Sequence, residues 1–228
     1  VSGSGEANGS RRVLPQAQPQ REDVPAWRLL VTLGSAGAIA GLLLVFVYQA
    51  TQPAIQAYKA MVLRQAVQEV LKGPQRWDTL YVVDDGLTLQ PPAGVDATSL
   101  DMVFLGYRED GEPIGFAITG AEFGFQDIIE LIFGYDPVTH TVLGMKVLSS
   151  KETPGLGDRI EKDSAFIAGF EGPKAPIVGV KIGRATGAAD EVDMITGATI
   201  SSRAVIGIIN HRLERLGPML ESYLQGAN

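Results

Sequence analysis

Asp193-Met194-Ile195-Thr196-Gly197-Ala198-Thr199-Ile200-Ser201-Ser202 sets four hydroxyl side chains among small and apolar residues. Downstream, Val205, Ile209, Leu213 and Leu216 recur at spacings of four, four and three, which predicts one apolar face of a helix beginning near Ser201. Thr199 is thereby presented just before a helix N-terminus, where unpaired N–H groups and the positive end of the dipole favour an anion. Gly197 and Ala198 keep the approach uncrowded. That makes Thr199 a candidate for covalent attachment of a phosphate-bearing cofactor. A threonine before a helix is also a common N-cap that satisfies its own backbone, and this segment alone leaves both readings open.

A second segment, Lys151-Glu152-Thr153-Pro154-Gly155-Leu156-Gly157-Asp158-Arg159-Ile160, narrows the chemistry. Pro154 and Gly155 favour a sharp turn with Gly155 able to take positive φ, and Gly157 is expected to let the backbone approach a flat ligand closely. In isolation such a loop reads as a surface turn. Together, however, the two segments resemble the flavin-binding signatures of the G subunit of the Rnf complex, a domain shared with the C subunit of the Na-translocating NADH:quinone oxidoreductase. The resemblance runs in order from Trp27 to Leu216: membrane helix, mixed α/β region, E-T-P-G-L-G loop, then D-x-x-[ST]-G-A-T before a helix. Thr196 stands where many relatives have Ser, which keeps the hydroxyl.

The resemblance implies a flavoprotein in which a separate flavin transferase joins the phosphate of FMN to Thr199 through a phosphoester, reading Asp193, Thr196, Gly197, Ala198 and Thr199. It implies that Thr196, Gly197 and Ala198 border the cofactor. Glu152, Thr153, Gly155 and Leu156 would meet it from the other loop, with N–H donors and the Thr153 hydroxyl at the polar edge of the isoalloxazine and Leu156 against its ring. Glu152 would either order the loop or influence flavin protonation. The chain would then relay electrons in a complex that couples ferredoxin:NAD electron transfer to Na⁺ or H⁺ movement, giving no complete activity alone. Its partners would be the other membrane and redox subunits. The loop and the short chain look more like the Rnf member than the C-type subunit of the quinone reductase. A non-redox, membrane-anchored binding subunit holding a small anionic ligand or a partner protein is the reading from another class. A purely structural anchor is the third.

Composition narrows the field by exclusion. With no cysteine, disulfides, cysteine-ligated iron–sulfur clusters, C-x-x-C-H haem attachment and thiol chemistry are all absent, so a redox role needs an organic cofactor. Of the two histidines, His211 falls on the predicted last helix and His140 in a predicted hairpin turn, positions typical of surface or capping residues, and no metal site is expected. There is no P-loop and no G-x-G-x-x-G strand–turn–helix unit. A net charge of −7 argues against nucleic acid as a partner and for solubility of the main domain.

From Leu29 to Val47 no charged residue occurs, and about nineteen residues at 1.5 Å each approach the ~30 Å hydrocarbon core of a bilayer. One transmembrane helix over 26–49 is predicted, with Trp27 and Tyr48 at the headgroup levels. A cleaved signal peptide would have a shorter apolar core and a small-x-small site, which is not found after Val47. Arg11, Arg12, Arg21 and Arg28 precede the segment, whereas Lys59 and Arg64 are the first bases after it. The positive-inside rule therefore puts the N-terminus in the cytoplasm and the main domain outside the cytoplasmic (inner) membrane. Residues 1–25, rich in Gly, Ser, Gln and Pro without apolar periodicity, read as a disordered cytoplasmic tail.

Pro53 opens a pattern with Ile55, Tyr58, Val62, Ala66 and Val70 on one stripe, a stalk or docking helix over 50–73 that covers the main domain or meets a membrane partner. Residues 74–228 form the predicted extracytoplasmic domain. Met102–Tyr107 and Ile114–Thr119 flank Glu109-Asp110-Gly111 as one hairpin; Ile128–Tyr135 and Thr141–Leu148 flank Asp136-Pro137 as another; Ile177–Ile182 is a further strand. Strand alternation is imperfect, as expected where both sheet faces are covered. The expected fold is α+β: one N-terminal transmembrane helix, then a mixed or antiparallel sheet packed with helices.

Overall fold

Apolar runs with hardly a polar interruption, as in Val103-Phe104-Leu105 and Phe116-Ala117-Ile118, suit strands buried on both faces. In the computed structural model, which describes residues 25–84 and 86–226, these runs lie in β3 (Met102–Tyr107) and β4 (Pro113–Phe123). They pair antiparallel across the Glu109-Asp110-Gly111 turn, with Val103 opposite Ile118 and Leu105 opposite Phe116. The second hairpin is also found, β5 (Ile128–Asp136) against β6 (Thr141–Ser149), with His140 at positive φ in its turn. β1 (Arg76–Val83) and β2 (Gly86–Thr88) complete a six-stranded antiparallel sheet in the order β2-β1-β3-β4-β5-β6. The tail expected over 1–25, with Arg11, Arg12 and Arg21, lies outside the described residues except for Pro25.

The chain divides into two compact units between Ala54 and Ile55. In the first, helix α1 (Ala26–Val70) carries a segment with a mean hydropathy of 2.3, long and apolar enough to cross a membrane. Leu30, Leu33, Leu42, Leu44 and Phe46 are exposed, the arrangement expected of side chains whose solvent is lipid. Pro53 lies inside α1 rather than opening a new helix. Its ring deprives the Gln49 carbonyl of a donor, and one missing bond does not end a helix of this length.

In the second unit the last turns of α1 cover one sheet face. Ala66, Val67, Val70 and Leu71 pack with Phe104, Ala117 and Ile132. Only the lower half of the expected stripe is used in this way: Val62 is half-buried and Ala66 and Val70 are buried, while Ile55 and Tyr58 remain exposed. Helix α3 (Thr199–Gly226) covers the opposite face. All four residues of its predicted stripe, Val205, Ile209, Leu213 and Leu216, are buried with Leu80, Leu105, Phe116, Ile118 and Phe133. The architecture is therefore α+β, as expected, with the sheet between two helical layers.

Short elements close the domain beside α3. α2 (Ser164–Ala168) is capped by the Asp163 carboxylate, which accepts from the Phe166 N–H. β7 (Val178–Lys181) and β8 (Glu191–Met194) form a parallel pair. Asn210 on α3 binds the backbone of Ile177 twice, accepting its N–H and donating to its carbonyl, both at 2.8 Å. That clasp fixes the strand pair, and with it the chain entering the Thr199 segment, to the helix.

Candidate functional site

β8 ends at Met194, and the chain reverses immediately: Ala198 N–H donates to Ile195 O at 3.1 Å, across a turn in which Gly197 has φ +87°. Positive φ at the third position is the demand of a type II turn and is met by glycine at little cost. The first bond of α3 then runs from Ser202 N–H to Ala198 O at 2.9 Å. Ser202 closes this corner with its side chain, donating to Ala198 O and accepting from Ile195 N–H.

The helix thus begins at Thr199, two residues earlier than the apolar periodicity indicates, because Ser202 ties down the first turn. Thr199 is inside the helix rather than before it. Among the described residues its hydroxyl has no hydrogen-bond partner, so it is not acting as a cap. The N–H groups of Thr199, Ile200 and Ser201 precede the first helical bond, the donors that a helix start leaves without intrahelical partners. Thr199 is half-buried, and Gly197 presents open backbone beside it.

The other signature loop lies against this corner. Gly155 has φ +76°, and its N–H donates to Asp158 Oδ1 at 2.7 Å; Lys162 Nζ holds the second oxygen of Asp158 at 2.5 Å. The Lys162 ammonium, opposed by desolvation and aided by the Gly155 N–H, keeps the Asp158 carboxyl below its usual range. Leu156 is 54% exposed, and its Cδ2 lies 4.0 Å from where a Gly197 Cβ would sit. Arg159 donates to the Thr196 carbonyl at 3.0 Å and to Asp163 at 2.7 Å.

Glu152 is the hub. It is 4% exposed, and its Oε1 accepts the N–H groups of Gln126 (2.9 Å) and Asp127 (3.4 Å), while Oε2 accepts the Ser201 hydroxyl at 2.5 Å. Burial opposes ionisation, but the Ser201 hydroxyl and the N–H groups of Gln126, Asp127 and Phe125 outweigh it and hold the carboxyl below its ordinary value. A Cβ on Gly157 would lie 2.5 Å from Oε2, and one on Gly124 would lie 2.5 Å from Oε1. Glycine at 157 is therefore required by the Glu152 carboxylate.

The fold thus gathers Glu152, Thr153, Gly155, Leu156, Thr196, Gly197, Ala198 and Thr199 at one corner. Ala198 is buried there, Thr196 is exposed, and the Thr153 hydroxyl donates to Gln126 Oε1 at 2.9 Å. Asp193 is exposed on β8, ahead of the turn. Sequence reasoning does not single out Ser201, Ser202, Arg159, Gln126 or Gly124 as site builders. Ser201, Ser202 and Arg159 stand within the two quoted motifs, but only their partners give them a role. His211 pairs with Glu122 at 2.8 Å and His140 with Tyr135 at 3.1 Å, on side chains outside this corner.

A helix start with free donors, an unengaged hydroxyl and a facing loop fits a phosphate-bearing ligand. The family model described as "FMN-binding domain" matches residues 124–214, a span that holds both loops and most of α3. The fold is that of the crystal structure of Shewanella oneidensis NqrC, with a TM-score of 0.59 at 16% identity over 73% of this chain and 99% of that one. Over 200 residues the chain is 30% identical to the G subunit of the ion-translocating oxidoreductase complex of Cereibacter sphaeroides, covering 82% of this chain and 86% of the relative. The corresponding G subunit of Methanosarcina acetivorans is 28% identical over 193 residues, 82% of this chain and 92% of that one. Fold and site thus define an FMN-binding domain carried behind an apolar N-terminal helix. The chain belongs to the family of G subunits of ion-translocating oxidoreductase complexes.

Proposed function

We propose that this chain is a membrane-anchored electron-transfer subunit carrying FMN covalently on Thr199, within an ion-translocating ferredoxin:NAD oxidoreductase of the Rnf type. The observation that carries the reading is the Thr199 hydroxyl, unengaged at the start of α3 beside the E-T-P-G-L-G loop. FMN supplies reversible uptake and release of electrons. The protein's part is attachment and placement. In the net condensation Thr199 Oγ1 forms a bond to phosphorus as a P–OH bond breaks, and the Thr199 hydroxyl hydrogen leaves with that OH group as water. The N–H groups of the first turn and the helix dipole neutralise part of the phosphate charge.

Thr196, Gly197 and Ala198 line the attachment side; Glu152, Thr153, Gly155 and Leu156 line the ring side, where exposed Leu156 offers an apolar surface. Thr153, whose hydrogen is given to Gln126, keeps oxygen lone pairs to offer. Asp193 and Thr196, both exposed, are available to a flavin transferase that reads the segment through Thr199. Tethering holds the flavin at the transfer site at high effective concentration. The basic residues ahead of α1's apolar segment favour a cytoplasmic N-terminus and a domain on the far side of the inner membrane, among the complex's other subunits and lipid.

The test is the intact mass of the detergent-purified chain after coexpression with a flavin transferase, with peptide mapping. A gain of FMN minus water on Thr199 is expected. An unmodified mass transfers the assignment to a non-redox binding subunit.

A further inference from the structure

Buried carboxylates are ordinarily paired with a cation. Glu152 is not. Among the described residues the neighbouring bases are all engaged elsewhere: Lys151 with Asp127, Arg159 with Asp163 and Lys162 with Asp158. Glu152 is solvated by dipoles alone, the Ser201 hydroxyl and the N–H groups of Gln126 and Asp127. Two glycines are fitted to its oxygens, since a side chain at Gly124 or Gly157 would reach within 2.5 Å of one or the other. The fold therefore accommodates an uncompensated negative charge, and it does so in contact with the first turn of α3, two residues beyond Thr199 and one before Thr153 in the loop.

Simple loop-fastening would be served as well by a neutral amide, which also accepts N–H donors and bonds a hydroxyl. A standing charge does something an amide does not. In a low-dielectric setting its field reaches a neighbouring group with little screening and opposes the arrival of further negative charge. We propose that Glu152 is a positioning residue that also sets the redox potential of the flavin, its unpaired buried charge making reduction at this site less favourable than it would be beside a neutral side chain. This rests on the assignment of FMN to Thr199. The Ser201 bond keeps the carboxylate on the α3 side of the loop, so the charge and the attachment point are held in one geometry.

The decisive experiment is spectroelectrochemical titration of the full chain, purified in detergent after coexpression with the transferase, as wild type, Glu152→Gln and Ser201→Ala. Each sample is first weighed intact for FMN. Glu152→Gln can keep the contacts, with its oxygen on the Gln126 N–H and its amide nitrogen donating to a turned Ser201 hydroxyl. It is expected to carry FMN with the midpoint potential shifted in the positive direction. Ser201→Ala keeps the charge and loses one donor, so a smaller shift is expected. A Glu152→Gln potential equal to that of wild type, or a Ser201→Ala shift as large as that of Glu152→Gln, overturns the proposal while leaving the FMN assignment standing. A wild-type chain without FMN overturns both. If Glu152→Gln does not fold, Gly157→Ala replaces it, because its Cβ would lie 2.5 Å from Oε2, 2.8 Å from Glu152 Cβ and 2.9 Å from Ser201 Oγ and so disturbs the seat of the charge; a positive shift supports the proposal and an unchanged potential overturns it.

Discussion

Arg159 donates to the Thr196 carbonyl at 3.0 Å across thirty-seven residues of sequence, while its other terminal nitrogen pairs with Asp163 at 2.7 Å. One guanidinium, rigid and forked, thus fixes the glycine-rich loop, the cap of α2 and the turn before Thr199 to one another. Arg159→Ala should free the Thr196 turn and lower the yield of covalent FMN under matched coexpression. Its cost in stability should be small, about 1 kcal/mol, since both the pair and the carbonyl contact lie near water. Mass spectrometry and urea unfolding measure the two effects separately; a full flavin yield in Arg159→Ala would remove its role in ordering the turn.

Thr199→Ala should abolish covalent FMN and leave the fold intact. The hydroxyl makes no bond among the described residues, so its loss should change stability by less than the ~1 kcal/mol typical of a deleted cap. Circular dichroism and intact mass suffice, and FMN still bound covalently to that variant would remove Thr199 from the assignment.

Asn210→Ala should be far more damaging to stability. It strips both partners from the backbone of buried Ile177, and each unsatisfied buried group costs about 1–3 kcal/mol. A thermal melt should show the loss, and the parallel pair β7 and β8 should exchange its amide hydrogens faster. An unchanged melt would mean that Asn210 does not anchor the pair.

Asp101 receives Arg212 at 2.6 and 2.8 Å and Arg215 at 2.7 Å. Burial raises its pKa, but the hydrogen bonds and charges of Arg212 and Arg215 dominate and hold it below the ordinary value. A folded-state pKa below the unfolded one means that the unfolded chain binds a proton first. The contribution is therefore present above the usual carboxylate range and is lost as pH falls through it toward the lowered folded value. Urea titrations from pH 6 to pH 3 should show a shallower acid loss in Asp101→Asn than in wild type; equal slopes would exclude this group as a source.

Residues 55–228 should fold without α1's apolar segment, since the second compact unit holds the whole sheet and α3. That fragment should partition into the aqueous phase, while the full chain requires detergent. Aggregation of the fragment would show that the second unit does not fold by itself.

The sequence by itself determined the elements whose signals are local. The uncharged run from Leu29 to Val47, the two hairpins around their turn residues and the buried stripe of α3 each depend on periodicity or turn chemistry within a short window. β1, β2 and β8 were not legible in this way. β1 opens on Arg76-Trp77-Asp78-Thr79, is mostly half-buried, and is held as a strand by its pairing with β3. The two flavin signatures were readable as motifs, but not the means by which they form one corner. That Gly157 must be glycine to leave space for the Glu152 carboxylate, and that the Ser201 hydroxyl binds it, is decided by the fold. Contacts such as Glu152 to Ser201 and Arg159 to Thr196 join residues forty-nine and thirty-seven positions apart. No window of sequence contains their geometry, because it is the packing of α3 on the sheet that decides which side chains face each other.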